Sequence, residues 1–140
     1  MGNARELLDT FGKAITGSGD LERIFTTDAE FHDSMSHTTG IPDLERYLES
    51  WWKAFPDASI SIGKVVESGD QAVGEMTYRG TQTGPLVGPA GEIPPTGKSV
   101  ELRGAAWITI KDGKIARFDG YYDTMSMMVQ LGLMPAPATA

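Results

Sequence analysis

The sequence predicts an α+β fold in which N-terminal helices pack on a strongly curved, mostly antiparallel sheet. Stretches of apolar residues at helical spacing occur within residues 3–56, whereas four extended segments bounded by turn residues lie within residues 58–123. Helices followed by a run of strands are typical of α+β domains. We expect the sheet to form a cone with an internal pocket. The length indicates a single domain over residues 1–134 and a flexible tail over 135–140.

Three helices are predicted before the sheet. Residues 3–16 carry apolar side chains at helical spacing, and Asp20 is placed to cap a short helix over residues 21–26. The third helix lies within "TTGIPDLERYLESWWKAFPD", with Pro42 near its start. Between the second and third helices, "DAEFHDS" is predicted as a short extended piece.

Four longer strands are predicted: "ASISIGKVVES", "QAVGEMTYRGTQT", "KSVELRGAAWITIK" and "KIARFDGYYD". The turns "SGDQ" and "KDGK" join two pairs of them as hairpins. Residues 84–97, "GPLVGPAGEIPPTG", are so rich in proline and glycine that no regular element is expected there. The segment "TMSMMVQLGL" predicts a short C-terminal helix.

Composition excludes several classes of function. The net charge is −7 and the basic residues are dispersed, which argues against nucleic-acid binding because neutralising phosphates needs a basic face. There is no cysteine, no apolar run long enough for a membrane span and no signal-peptide pattern, so we expect a cytoplasmic protein. His32 and His37 show no convincing metal-ligand spacing, and no metal is expected.

Several short motifs occur in an order that resembles the nuclear transport factor 2-like fold and, within it, the SnoaL-like polyketide cyclase family. These motifs are "TTDAEFHDS", "WWKAFPDASISI", "GTQTGPLVG" followed by "PPTGK", "DGKI" and "QLG", and they span nearly the whole chain. The resemblance implies a cone-shaped fold whose pocket takes a hydrophobic, polyketide-like ligand without any cofactor. It also implies a homodimer.

The resemblance does not carry over at every functional position. In the cyclases, the acid/base aspartate lies six residues after the lysine of the "DGK" turn, and here that position is Gly120. The supporting histidine lies six residues before the aspartate of that turn, and here that position is Ala106. The two groups that the cyclases use are therefore replaced by small residues.

Three aspartates are candidate catalytic residues. Asp33 takes the place in which the resembling ketosteroid isomerases carry their base, and it shares a strand face with Phe31, so its pKa should be raised. A competing interpretation makes Asp33 a loop residue that caps "SMSH" or pairs with a lysine. Asp119 is a pocket acid only if a bulge turns it inward, and otherwise it is a solvated strand residue. Asp123 occurs widely in the family, but its position before a helix favours an N-cap.

The predicted substrate-binding residues come from the strands, one loop and one helix. They are Phe31, His37, Trp52, Tyr78, Ala106, Phe118, Gly120 and Tyr122. Strand parity places Ala106, Phe118, Gly120 and Tyr122 together on the concave side of the sheet. His37 belongs to a loop that closes over the pocket mouth in this interpretation, and one of the adjacent Trp51 and Trp52 should reach the pocket.

Three functions remain open from the sequence. The first is a cyclase- or isomerase-type enzyme in which Asp33 moves a proton beside a carbonyl group. The second is a non-catalytic ligand-binding domain, which Gly120 and Ala106 favour. The third is an epoxide or ester hydrolase of the same fold. The number of polar groups that converge inside the pocket should distinguish the enzymes from the binding domain.

Overall fold

The protein is described here by a computed structural model, which covers residues 3–15, 20–88 and 91–135. The helices are α1 (Ala4–Ala14), α2 (Leu21–Ile24), α3 (Ile41–Ala54) and α4 (Thr124–Gln130). The strands are β1 (Phe25–His32), β2 (His37–Thr39), β3 (Ser59–Ser68), β4 (Gln71–Thr81), β5 (Leu86–Gly88), β6 (Gly91–Ile93), β7 (Ser99–Lys111) and β8 (Lys114–Tyr122). Most of residues 135–140, the predicted tail, lies outside the described part of the chain.

One six-stranded sheet organises the molecule. Its strand order is β2-β1-β8-β7-β4-β3, and every pairing in it is antiparallel except that of β1 with β8. The edges at β2 and β3 do not meet, so the sheet is open, which is consistent with a cone. The α+β prediction is therefore confirmed. Among the described helices, none is long and apolar enough to cross a membrane.

The helices cover one face of the sheet and form the core with it. Phe11 of α1 lies 4.6 Å from Phe118 of β8, between ring centroids, and Phe31 of β1 stacks on Phe118 at 4.7 Å. Burying a large apolar side chain of this kind contributes roughly 1.5–3 kcal/mol to stability. This aromatic cluster fixes α1 against the neighbouring strands β1 and β8.

Asp20 caps α2 as predicted, because its side chain accepts a hydrogen bond from the Glu22 amide at 3.1 Å. The helix is shorter than predicted, since Phe25 and Thr26 already belong to β1. That strand ends at His32, and Asp33 begins a turn instead of continuing the strand. The end of β1 is therefore the point at which the chain turns toward β2.

A bulge in β8 determines which of its side chains face the core. Thr109 pairs with Arg117 whereas Ile110 pairs with Ile115, which leaves Ala116 as an extra residue. Ile115 and Phe118 are consequently both buried although they are three residues apart. Beyond the bulge the alternation is regular, so Gly120 and Tyr122 follow Phe118 on the concave face.

The prediction that residues 84–97 form no regular element is wrong. They contain the small hairpin β5–β6, packed next to Gln82, whose side chain is fully buried. The Gln82 amide group donates to the carbonyls of Gly84, Ile93 and Pro94, and its oxygen accepts from Thr96. One buried side chain thus satisfies backbone groups that a proline- and glycine-rich segment cannot pair by itself.

Candidate functional site

A cavity of about 70 Å³ lies between α1, α3 and the concave face of the sheet. Its lining is almost entirely apolar apart from one carboxyl group and three phenol groups. The lining residues are Phe11, Ile15, Phe31, Asp33, Tyr47, Leu48, Trp51, Ile60, Met76, Tyr78, Leu102, Gly104, Phe118, Gly120 and Tyr122. An apolar cavity with a few convergent polar groups is typical of a small-molecule site.

The carboxyl group belongs to Asp33, which is held in place by three hydrogen bonds. Its Oδ1 accepts from the amides of Met35 at 2.8 Å and Ser36 at 2.9 Å. Its Oδ2 accepts from the Tyr47 hydroxyl at 2.7 Å. The turn after β1 therefore fixes one oxygen, while α3 supplies a partner for the other. A carboxylate has about four acceptor positions, so capacity remains on this group for a ligand.

The electrostatics of Asp33 result from two opposing effects. Burial against the aromatic cluster raises its pKa above the ordinary aspartate value, because a charged carboxylate is poorly solvated there. The hydrogen bonds from Tyr47, Met35 and Ser36 act in the opposite direction and lower the pKa, but burial is the larger effect. The sequence-based expectation of a raised pKa agrees with this arrangement. The capping interpretation is also realised, since the same carboxyl group caps its own turn.

The three phenol groups differ in their hydrogen bonding. Tyr47 donates to Asp33, and the buried hydroxyl of Tyr78 has no hydrogen-bond partner within the described part of the chain. The Tyr122 hydroxyl lies beside the side chains of Ser34 and Tyr47, whose hydrogen bonds lower its pKa against the larger effect of burial. Burial is the main cause that raises the pKa of all three tyrosines, so each stays protonated near neutral pH. An unpartnered buried hydroxyl is costly and rare in folded proteins. Tyr78 is therefore available as a donor to a bound molecule, and Tyr122 is a second candidate donor at the cavity wall.

The ring of Trp51 lies between these two phenols. Its centroid is 5.6 Å from the ring of Tyr78 and 6.1 Å from that of Tyr122, and both contacts are edge-to-face. Trp51 is itself stacked on the buried Phe55 at 5.8 Å. Aromatic packing against Trp51 thus helps to position both tyrosines.

Gly120 leaves space next to Asp33. A Cβ atom at position 120 would lie 3.2 Å from a ring carbon of Phe118 and 3.5 Å from the Cβ of Asp33. The first distance is tight and the second is ordinary van der Waals contact. The absence of a side chain at Gly120 therefore keeps the cavity open on the side of the Asp33 carboxyl group.

Five of the predicted binding residues line the cavity together with Asp33. They are Phe31, Tyr78, Phe118, Gly120 and Tyr122. Phe31 and Asp33 both line the cavity as expected, although Asp33 reaches it from the turn after β1 and not from the strand itself. The pairing of β7 with β8 puts Ala106, Gly120 and Tyr122 on one face. These placements show that alternation along a strand is informative wherever the strand is regular.

Three predicted binding residues lie outside the cavity lining. Ala106 is on the concave face but is fully buried in the core, where Leu8 of α1 lies over the neighbouring Gly74. Trp52 is 41 % exposed, because the position next to Trp51 points away from the sheet. His37 begins β2, and its ring stacks on His32 on the outer face of the sheet.

Neither of the other candidate aspartates is in the cavity lining. Asp119 faces outward, where its carboxylate accepts two hydrogen bonds from Arg117 at 2.9 and 3.2 Å. The bulge that would have turned it inward is located earlier, at Ala116, and it places Asp119 on the outer face. Asp123 is the N-cap of α4, since its side chain accepts from the Ser126 amide at 2.9 Å. Both therefore have structural partners instead of a place beside Asp33.

Tyr47 is the important residue that the sequence interpretation missed. It lies between Leu44 and Trp51 on α3, three residues after the first and four before the second, which is the spacing of one helical face. That periodicity would have placed Tyr47 next to the apolar stripe. Its partnership with Asp33 depends on the turn after β1, which the sequence pattern does not specify.

The comparisons with known proteins agree with this architecture. The family model described as SnoaL-like polyketide cyclase matches residues 8–131. A proposed SnoaL-like polyketide cyclase from Jannaschia sp. CCS1 superposes with a TM-score of 0.80 at 20% identity, covering 94% of this chain and 92% of the other. No curated protein matches the sequence significantly.

Two further structures are similar at slightly higher identity. TsrD from Streptomyces laurentii has a TM-score of 0.79 at 25% identity, covering 94% of this chain and 96% of the other. IdmH, a proposed polyketide cyclase from Streptomyces antibioticus, has a TM-score of 0.68 at 26% identity, covering 91% of this chain and 97% of the other. The similarity therefore extends over almost the whole length of both chains in each pair.

Proposed function

The chain belongs to the SnoaL-like polyketide cyclase family, and we propose that it is an enzyme that performs cofactor-free acid/base chemistry next to a carbonyl group. The observation that carries this proposal is the convergence of Asp33 with three phenols in an apolar cavity. A vestigial binding pocket would need at most one polar anchor. Several groups that can accept and donate protons favour chemistry over simple binding.

In the proposed reaction, the Asp33 carboxylate removes a proton from the carbon beside the substrate carbonyl. The raised pKa makes Asp33 a stronger base than an ordinary aspartate and allows it to return the proton. Tyr78 or Tyr122 donates a hydrogen bond to the oxygen on which negative charge develops. The resulting enolate attacks a second carbonyl of the same molecule, as in ring closure, or is reprotonated at another carbon, as in isomerisation.

The position of Asp33 supports this role through its distance to Gly120. Position 120 is where the resembling cyclases carry their acid/base aspartate, and a Cβ atom there would be 3.5 Å from the Cβ of Asp33. Strands β1 and β8 are neighbours, so Asp33 brings a carboxyl group to the same region of the cavity from the turn that follows β1. We propose that Asp33 replaces the missing aspartate.

The cavity size limits how much of a substrate is enclosed. Pockets that enclose a drug-sized molecule have volumes of about 300–1,000 Å³, whereas this cavity has about 70 Å³. We propose that the reacting carbonyl end of a hydrophobic, polyketide-like molecule enters between Asp33 and the phenols. The remainder of the molecule then contacts the protein outside the cavity.

The function can be tested without knowing the natural substrate. Small cyclic 1,3-diketones and α,β-unsaturated ketones would be incubated with the protein in D₂O, and proton NMR would follow exchange at the carbon beside the carbonyl. We expect the wild type to accelerate exchange and Asp33→Asn to reduce it by about 10²–10⁴-fold, the usual effect of a general base. Asp119→Asn is the matched control, because Asp119 is paired with Arg117 on the outer face.

Each outcome of this assay distinguishes between the candidates. Equal exchange by wild type and Asp33→Asn would refute Asp33 as the base. Saturable ligand binding without any exchange would indicate the ligand-binding domain. The double variant Asp33→Asn, Gly120→Asp returns a carboxyl group to the cavity from the neighbouring strand. Restored exchange in that variant would support the proposed replacement.

We further propose that the protein forms a homodimer through the outer face of the sheet. Val66, Trp107 and Tyr121 are 69, 46 and 60 % exposed, and strand pairing places them on the same face. Analytical ultracentrifugation should show a dimer that Trp107→Glu dissociates. Val87→Glu is the control, because Val87 is equally accessible but belongs to the separate β5–β6 hairpin. A monomeric wild type would refute this proposal.

A further inference from the structure

A second cluster of functional side chains lies on the outer face of the sheet, behind the cavity. Glu30 and His32 flank the buried Phe31 on β1, so both point away from the core. His37 on β2 is the cross-strand partner of His32 and shares that face. The two imidazole rings stack with their centroids 3.8 Å apart. Strand pairing thus brings together three potential metal ligands that are not obviously related in the sequence.

The distances between these ligand atoms are suited to an ion. His32 Nε2 lies 4.0 Å from Glu30 Oε2, and His37 Nε2 lies 3.9 Å from Glu30 Oε1. These separations are too long for hydrogen bonds. A metal ion between two of these atoms would form bonds of about 2.0–2.2 Å to each of them. In an ideal tetrahedral site the two ligand atoms would be about 3.3 Å apart, which is somewhat closer than they are here. Small side-chain rotations are enough to reach that geometry, since all three ligand atoms already lie within 4.8 Å of one another.

The environment of His32 is a separate indication that a ligand binds here. Its Nε2 is shielded from solvent and has no hydrogen-bond partner among the described residues. A buried imidazole nitrogen without a partner is energetically unfavourable. Coordination of a cation at Nε2 would satisfy it, and the net charge of −7 favours the approach of a cation.

We propose that Glu30, His32 and His37 bind one divalent transition-metal ion of the zinc class. Two imidazoles and one carboxylate are ligands that such ions prefer, and water would complete the coordination. This inference goes beyond the proposed function, because the cluster is on the opposite face of the sheet from the cavity and takes no part in the proton transfer.

Arg117 determines how tightly the ion is held. It donates two hydrogen bonds to Asp119 and one, at 3.1 Å, to Glu30 Oε2. Glu30 Oε1 therefore remains directed toward His37, while the guanidinium charge repels an approaching cation. Removing that charge in Arg117→Gln should increase the affinity for the metal. The direction of this change separates metal binding from a purely structural role of the cluster.

The ion would also stiffen the turn that holds Asp33. His32 immediately precedes Asp33, and His37 immediately follows Ser36, so the two imidazoles flank both ends of this turn. The amides that hold the Asp33 carboxylate come from the same four residues. A metal ion bound across β1 and β2 would therefore link the outer face to the geometry of the cavity.

The test is a titration of the untagged protein with zinc chloride by calorimetry and with cobalt(II) by visible absorption. The sequence contains two histidines and no cysteine, so no other imidazole or thiolate can produce the signal. We expect one ion per chain and the visible absorption of a low-symmetry cobalt site. The affinity should fall at least about tenfold in His37→Gln and in Glu30→Gln, as expected when a ligand is lost. It should increase in Arg117→Gln.

The controls make the outcome decisive. His37 is 57 % exposed at its side chain, so His37→Gln should fold normally, which circular dichroism would verify. Asp43→Asn removes an exposed carboxylate elsewhere on the surface and should leave metal affinity unchanged.

Binding of the metal should weaken near pH 5 because protons compete for the imidazoles. No binding below millimolar metal, or unchanged binding in both His37→Gln and Glu30→Gln, would overturn the proposal. The proton-exchange assay is read separately, so either proposal can fail alone.

Discussion

The Tyr47 hydroxyl donates a 2.7 Å hydrogen bond to the Oδ2 of Asp33, joining helix α3 to the turn that follows β1. Both side chains line the cavity, so the contact joins a carboxyl group and a phenol inside the candidate site. It allows Asp33 to stay oriented in an apolar environment while its other oxygen is held by backbone amides. The proposed base is therefore fixed from two sides.

Removing this hydrogen bond should change the acidity of Asp33. The bond from Tyr47 lowers the pKa of Asp33, so Tyr47→Phe should raise that pKa further. The variant should also lose about 1–3 kcal/mol of unfolding free energy at neutral pH, because a hydrogen bond to a charged group is lost. Carboxyl-carbon NMR and urea unfolding measure the two effects. Tyr121→Phe is the control, since Tyr121 is exposed on the outer face, and an equal pKa change there would contradict the assignment.

The stability of the protein should depend on pH through Asp33 in a defined direction. Because the pKa of Asp33 is raised in the folded state, the folded protein binds this proton more tightly than the unfolded chain. The associated stability is fully present below the ordinary value of 3.8 and is lost as the pH rises through the higher folded pKa. Asp33→Asn cannot ionise, so it should be more stable than the wild type at neutral pH.

Urea unfolding at a series of pH values would check this prediction. The advantage of Asp33→Asn should shrink as the pH falls toward 3.8. Asp119→Asn removes one negative charge from the outer face and serves as the control for net charge. It should change stability by no more than about 1 kcal/mol, as is typical of a surface ion pair. A less stable Asp33→Asn at neutral pH would mean that the hydrogen bonds outweigh burial.

The unpartnered Tyr78 hydroxyl should contribute to function and not to stability. Tyr78→Phe removes a buried hydroxyl that has no hydrogen-bond partner in the described structure. The free energy of unfolding should therefore stay the same or increase, because an unsatisfied polar group is removed. Proton exchange should fall by about 10–10³-fold if this phenol faces the developing charge. A clear loss of stability in Tyr78→Phe would indicate that the hydroxyl has a structural partner.

Two glycines of the cavity lining should respond differently to alanine. In Gly104→Ala the new Cβ would overlap the Tyr121 carbonyl oxygen, so the backbone must shift. The free energy of unfolding should fall by about 1–3 kcal/mol, the typical cost of overpacking. In Gly120→Ala the nearest atoms are at 3.2 and 3.5 Å, so the fold should survive with a smaller cavity. Thermal unfolding and ligand binding separate the two effects, and equal destabilisation would contradict this account.

The sequence was most informative where elements are regular. Alternation along β8 correctly placed Phe118, Gly120 and Tyr122 on one face, because strand geometry has a period of two residues. Helical spacing correctly indicated the buried stripe of α3, although only one of its two adjacent tryptophans could face the sheet. Trp51 took that position, and the predicted binding residue Trp52 did not.

The errors occur where pairing between distant segments decides the outcome. For Asp119 the sequence left two alternatives, and the solvated one is realised because the bulge lies at Ala116, which the register between β7 and β8 decides. The proximity of Glu30 and His37 likewise depends on the pairing of β1 with β2. His37 was therefore predicted at the cavity mouth although it lies on the opposite face. No local pattern in a single sequence contains this information.

The most direct test of the central claim is the pKa of Asp33, measured by carboxyl-carbon NMR with Asp33→Asn to assign the resonance. Asp33 should titrate with a pKa above the ordinary aspartate value of 3.8, and Tyr47→Phe should raise that pKa further. Asp119→Asn should leave the Asp33 titration unchanged, since Asp119 lies on the outer face. A titration of Asp33 at or below 3.8 would contradict its role as a buried base and would favour a ligand-binding domain.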